Sequence, residues 1–341
     1  MVAGFITDPK ELQAQWKTNL DALPATPEKI PAFFFGHGSP LMAFPEDKDN
    51  SQSRFSSVVQ WAGPKGPLAT FLKDFGPALL KKYQPKGIVV FSAHWETYGE
   101  RLVTDYGDEN PLLMDYYGFD PVMYKLKFVS KGDKALSERV VELYKAAGQR
   151  ARLTPKTESR GQDGRGFAGK YLTCQSPNAA PLTRVCTGPG LDHGVFVPFR
   201  MMFGDEFTSI PIVEVSIDES LTPEANWALG KAVAKLREEG ILVLSGGLTA
   251  HNLRQPTSMS VFSASDDQRA FDRAVMDALT VEDETARKQA MANLVKHRGF
   301  RASHPREEHF VPIYVAAGAG EGGNAKVISE MYGCQTVAFG L

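Results

Sequence analysis

The chain has 341 residues, 43% of them hydrophobic and 23% charged, a balance that belongs to a globular protein and argues against a disordered or fibrous one. Acidic residues number 40 and basic ones 38, so there is no excess of positive charge to attract phosphate backbones or anionic lipid, and nucleic acid and membrane are poor candidates as partners. The opening stretch MVAGFITDPKELQAQWKTNL has no basic segment followed by an apolar one, and no later apolar run reaches spanning length, so the expected location is cytoplasmic.

In chain order, residues 1–30 are expected as an N-terminal helical extension, followed by a strand from Ala32 to Phe35. A polar stretch from Phe44 to Gly66 predicts a long loop, and the spacing of apolar residues predicts a helix over Pro67 to Tyr83. Further strands are expected over Gly87 to Ser92, Ile212 to Ile217 and Ile241 to Ser245, each with the β-branched or aromatic content of a buried strand. Helices are predicted over Lys134 to Ala147, Pro223 to Glu239 and Asp266 to Lys296, and two apolar segments, Val327 to Ile328 and Thr336 to Phe339, can close a sheet. From Thr154 to Pro189 periodicity stops, and residues 154–190 are expected as a long loop insertion. The alternation of apolar runs with amphipathic stretches predicts an α/β fold: one domain over 1–341, a central, mainly parallel or mixed sheet, and helices flanking it. Cys174, Cys186 and Cys334 are too few and too scattered for a disulfide framework or a thiolate metal cage, and are expected as reduced thiols.

The histidines carry the functional signal. His37 follows the run PAFFF by two residues, His94 follows IVVFS by two, and His251 follows ILVLS by six. In an open parallel sheet the carboxyl ends of the strands share one edge, so three imidazoles distant in sequence can meet there around a metal ion. With 7 histidines in 341 residues, three such strand ends out of four arise by chance roughly once in a hundred. Gly36, Gly38 and Pro40 around His37, and Gly246 and Gly247 ahead of His251, let the backbone turn tightly beside a cavity. Ser39 and Ser92 are candidates to orient a ring nitrogen, or plain cap residues.

His193, in GPGLDHGVFVPFRMMF, is a candidate general acid and base, with a fourth metal ligand or a helix-start histidine as the alternatives. His309, ahead of an apolar run, either faces the pocket or packs, while His297 lies in a basic stretch expected to be solvated. GRGFAG at 164–169 and GAGEGG at 318–323 both fit G-x-G-x-x-G, but the first follows no strand and the second leaves too little chain for a dinucleotide unit, so both read as turns.

GHGSP at 36–40, SAHWE at 92–96, LDHGVFVPFRMMF at 191–203, PIVEVSID at 211–218, SGGLTAHNLR at 245–254 and EHFVPI at 308–313, in that order, resemble the class III extradiol ring-cleavage dioxygenases of LigB type, in the 4,5-DOPA subgroup. The likeness runs from about Pro31 to about Gly320 and does not account for the N-terminal helix or the loop from Thr154 to Pro189. It implies a non-haem metal site, Fe(II) or Zn(II), on His37, His94 and His251, an acid–base role for His193 and a place near substrate for His309. The implied reaction opens a catechol ring with O2 to a semialdehyde acid, on L-DOPA or a phenylpropanoid-type catechol whose carboxylate Arg254 or Arg200 could pair. Where an iron extradiol site has two histidines and a carboxylate, this subgroup substitutes a third histidine, which also suits zinc. The implied partners are a small-molecule catechol and O2; the sequence sets no oligomeric state. A zinc hydrolase and a non-catalytic, Memo-like binding protein on the same scaffold are the competing functions.

Overall fold

A computed structural model describes residues 2, 4–25, 28–45, 61, 63–116, 118–160 and 188–341. Ten strands are defined: β1 (Ala32–Gly36), β2 (Gly87–Thr97), β3 (Arg101–Asp105), β4 (Val129–Ser130), β5 (Ala151–Pro155), β6 (Glu206–Phe207), β7 (Ile212–Asp218), β8 (Ile241–Gly247), β9 (Ala325–Ser329) and β10 (Thr336–Phe339). Among the described residues the helices are α1 (Pro9–Asp21), α2 (Pro67–Tyr83), α3 (Lys134–Ala146), α4 (His193–Phe203), α5 (Pro223–Val233), α6 (Asp266–Leu279), α7 (Glu284–Asn293), α8 (Phe300–Ser303) and α9 (Pro312–Ala319). Eight strands form one mixed sheet in the order β5-β3-β7-β2-β8-β1-β10-β9, and β4 pairs with β6 separately. The centre, β7-β2-β8-β1, is parallel, while β10 and β9 close one side antiparallel, as the last two apolar segments suggested.

Side-chain alternation explains why the central strands read as unbroken apolar runs. Phe34, Val89, Phe91, Val213 and Val243 enter the core on one face, and Phe33, Phe35, Ile88, Val90, Ile212, Leu242 and Leu244 enter the core on the other. With both faces covered by helices, neither set of positions can be polar. The N-terminal helix belongs to the second core: Asp8 caps it, Leu12, Trp16 and Leu20 face inward at helical spacing, and Trp16 Nε1 donates to Asp74 of α2 at 2.9 Å. On the first face Gly230 and Gly318 let α5 and α9 touch backbone to backbone, with no room for a Cβ at either. Buried Arg237 ties the chain ends to this core by donating to the carbonyls of Ile30, Ala319 and Gly340.

Several boundaries depart from expectation. The helix predicted over Asp266 to Lys296 is two helices, because Asp283 caps the second by accepting from Ala286 N at 2.7 Å and so breaks the first. The helix predicted to run to Glu239 loosens into a 3-10 turn at Ala234–Glu238. β5 extends to Pro155, past the expected loop start at Thr154, because a proline is tolerated at the end of an edge strand. β3 and β5 are short and carried no apolar run. Residues 161–187 of the expected insertion, GRGFAG with them, Cys174 and Cys186, and residues 46–60 of the first loop lie outside the described residues. GAGEGG ends α9 and turns the chain into β9, and Cys334 is a free thiol. Among the described residues no helix is long and apolar enough to cross a membrane.

His304, at the end of α8, is fully buried, with ring centroids 5.3 Å from both Phe300 and Phe310. Burial pushes its ring from 6.5 down to about 4. The unfolded chain therefore binds the extra proton first, so stability is complete above pH 6.5 and is lost as the pH falls toward 4, by up to roughly 3 kcal/mol from this group. Urea midpoints followed from pH 7 to pH 4 should fall less steeply for His304→Phe than for the parent chain; parallel curves would contradict this assignment.

Candidate active site

Five elements bring five of the seven histidines to the carboxyl edge of the parallel strands. His37 directly follows β1 and is fixed at both ends of the residue: its backbone N–H donates to Gly247 O at 3.1 Å, and its Nδ1 meets the same carbonyl at 3.0 Å. His94 lies inside β2, not beyond it, because that strand continues to Thr97. Between Phe91, opposite Val215, and Glu96, opposite Ile217, five steps of β2 face two of β7. This bulge takes Ser92 to Trp95 out of the ladder with β7 and aims His94 at His37. His193 opens α4, His251 follows β8 by four residues, and His309 sits just before α9, with its carbonyl accepting from Leu248 N at 2.7 Å.

The ring nitrogens of His37 and His94 approach to 3.0 Å, Nε2 to Nε2. Gly247 O can only accept, so His37 carries its proton on Nδ1, and Nε2 is a lone pair. His94 Nδ1 faces Asp115 Oδ2 at 3.5 Å, which likewise favours the proton there and the lone pair on Nε2. With the His94 proton on Nδ1, two lone pairs face each other at that distance, an arrangement that a cation between them would stabilise. Two imidazoles bound at about 2.1 Å and at right angles on one metal place their nitrogens about 3.0 Å apart. Burial pushes His37 down to about 4, and burial followed by its neighbour His309 pushes His251 well below its ordinary value, so both rings are neutral and ligand-competent at pH 7. The donor set fits a divalent metal.

The groups of potential ligands are His37 with His94 and His309; His94 with Asp115 and His193; and His251 with Glu308 and His309. His309 thus stands closest to the His37–His94 pair, and His251 stacks on it with ring centroids 3.5 Å apart. The sequence singles out all five histidines but expects His251, not His309, beside His37 and His94, and it does not point to their carboxylates. Asp115, in an aromatic stretch with no motif around it, accepts from both the backbone N–H (2.9 Å) and Nδ1 (2.7 Å) of His193. Glu308 accepts from His309 Nδ1 at 2.9 Å.

Beneath these rings lies a buried ionic layer. Asp192 caps α4, accepting from Gly194 N and from the Ser92 hydroxyl, each at 2.8 Å, and Ser92 Oγ in turn accepts from His94 N at 3.1 Å. Arg160, 4.2 Å beneath the Trp95 ring, donates to Asp192 at 2.8 Å and to Glu214 at 2.7 Å. One guanidinium cannot balance two buried carboxylates, and burial holds the Glu214 carboxyl well above the usual range. Ser92 is thus an orienting residue, whereas Ser39 only caps the turn at Leu41. Of the arginines suggested for substrate, Arg200 is tied to Asp205 at 2.5 Å and Arg254 is exposed, and neither pairs with a carboxylate of this site. His297 accepts from Gly299 N and is half-buried, not solvated as expected.

Residues 31–339 match the family model described as the catalytic LigB subunit of aromatic ring-opening dioxygenase. The chain belongs to the LigB family. It is 36% identical, over 96% of its length and 97% of the relative's, to the 4,5-DOPA dioxygenase extradiol-like protein of Schizosaccharomyces pombe. It is 27% identical to the 4,5-DOPA dioxygenase extradiol of Beta vulgaris, over 90% of this LigB chain and 94% of that protein. In fold it is similar to a crystal structure of an uncharacterized protein from Escherichia coli K12, with a TM-score of 0.57 at 23% identity, covering 92% of the chain and all of the other. By family and by these relatives the LigB chain is an extradiol ring-cleavage dioxygenase, as the motif resemblance implied.

Gly194, second in α4, is where ring and helix meet most tightly. A Cβ there would lie 2.7 Å from His94 Cδ2 and 2.9 Å from Ser92 Oγ. Gly194→Ala should cost about 1–3 kcal/mol of stability by overpacking, read as a lowered urea midpoint; an unchanged midpoint would mean that the helix start is free to move.

Proposed function

We propose that the chain opens the ring of a catechol with O2, holding one divalent metal between His37, His94 and His251 and using His193 as the acid–base group. The observation that carries this reading is the approach of His37 Nε2 and His94 Nε2 to 3.0 Å in a buried site. A bound metal, Fe(II) in the favoured assignment and Zn(II) as the alternative, would supply Lewis acidity toward both catechol oxygens and, as iron, the path for electrons to O2.

The chain's own residues prepare the reaction. Asp115 holds the His193 proton on Nδ1, leaving Nε2 as the basic atom, and a charged Asp115 stabilises the imidazolium that forms when His193 takes a catechol proton. His193 and His94 have ring centroids 4.0 Å apart, so the base stands beside the ligand pair. The Tyr116 ring meets His193 edge-on at 5.7 Å and closes its apolar side. The resemblance assigns the third ligand to His251 and a substrate contact to His309. Because the two rings stack, their roles are separated by substitution. L-DOPA and phenylpropanoid-type catechols are the substrates that the relatives' names and the family resemblance support.

After anaerobic Fe(II) loading, His193→Ala should keep the metal and lose about 10²–10⁴-fold in turnover, while His37→Ala, His94→Ala and His251→Ala should lose the metal. His309→Ala should keep it and raise KM. Metal analysis with an oxygen electrode checks all five; equal metal loss in the His193 variant would contradict the division of roles. Catechol conversion without O2 uptake would instead favour a hydrolase, and an intact metal site without turnover a binding protein.

A further inference from the structure

Glu96, two residues past His94 in β2, has a fully buried side chain that grips Arg306 through two bonds of 2.5 Å. The Arg306 side chain is 32% exposed, more than His251 at 17%, Glu308 at 10% or His309 at 4%. Glu308 joins this cation to the histidines: its Oε1 is 2.9 Å from His309 Nδ1 and 3.8 Å from His251 Nδ1, and its Oε2 is 3.6 Å from Arg306. The guanidinium therefore stands one carboxylate's width beyond the stacked histidines.

Two features of this group ask for a ligand. Glu96 takes one N–H from each terminal nitrogen of Arg306, and a guanidinium has five, so three donors remain on a side chain that reaches solvent. Glu308 Oε2, within reach of the same guanidinium, is buried and accepts no hydrogen bond. A buried carboxylate oxygen in that state is costly until a donor arrives. A carboxylate ligand alone would add a third anion beside Glu96 and Glu308, and an ammonium alone would be set against Arg306. A head group with both charges on one carbon answers both: its carboxylate takes the guanidinium donors and its ammonium donates to Glu308 Oε2.

We propose that Arg306 and Glu308 form the head-group subsite of the catechol site and select catechols bearing an α-amino acid group; this rests on the reading above that the histidine cluster binds a catechol. Glu96 positions the fork, and neither Arg200 nor Arg254 takes part. Arg306 is the specificity-determining residue, since a lysine would keep the charge but not the planar fork.

The test uses L-DOPA, dopamine, 3-(3,4-dihydroxyphenyl)propionate and 4-methylcatechol, with Kd measured anaerobically on metal-loaded protein and turnover measured in air. The parent chain should bind L-DOPA at least about 10-fold more tightly than either singly charged analogue. Arg306→Gln should lower the L-DOPA to 4-methylcatechol affinity ratio by about 10-fold or more, and Arg306→Lys should restore part of it. A ratio identical in the parent and both variants, or a parent chain that binds all four compounds alike, overturns the subsite. If Arg306→Gln fails to fold, the lysine variant and the parent's own discrimination decide. Selective binding without ring opening sinks the catalytic reading and leaves the subsite standing; ring opening without head-group selection does the reverse.

Discussion

His37 and His94 face each other Nε2 to Nε2 across 3.0 Å in a buried site, and the proposed function depends on a cation between them. Neither ring can turn away. His37 is pinned by its own backbone and ring to one carbonyl, and His94 is aimed by a strand bulge whose residues are bonded from below. Burial keeps His37 neutral down to about pH 4, so protonation does not relieve the contact at physiological pH. The divalent metal proposed above would.

The layer beneath the rings explains how such a contact is held. Asp192 caps the helix that carries His193, accepts from the serine that orients the His94 backbone, and is itself held by Arg160. His193 and His94 therefore rest on the same carboxylate, and Asp115 joins them again from the side. Buried polar groups linked in this way are rigid only if each is satisfied. That is the physical reason for burying Arg160 here. The outer face differs: Glu96, Glu308 and Arg306 grade from fully buried to about one-third exposed.

The parallel core was legible in the sequence because strands covered on both faces must be apolar throughout, and β1, β2, β7 and β8 were. The histidines were legible because a polar ring directly after such a strand has few reasons to be there. What escaped was whatever depended on pairing or on distant contact. β3 and β5 are short strands without an apolar run, and the β2 bulge is visible only against β7. Asp115 and Arg160 acquire their roles from residues 78 and 32 or more positions away. Arg306 lies in HPREEHF, next to a histidine already singled out, yet nothing in that charge run shows that one acid of it pairs inward and that the arginine reaches back to β2.

The central claim concerns coordination, and X-ray absorption on the protein loaded with Fe(II) or Zn(II) reads it most directly. The account predicts one metal per chain, nitrogen and oxygen ligands near about 2.1 Å, and multiple scattering from at least three imidazoles, one of which disappears in His94→Ala if that variant retains any metal. Sub-stoichiometric metal under every loading condition, or a first shell without imidazole scattering, would contradict it.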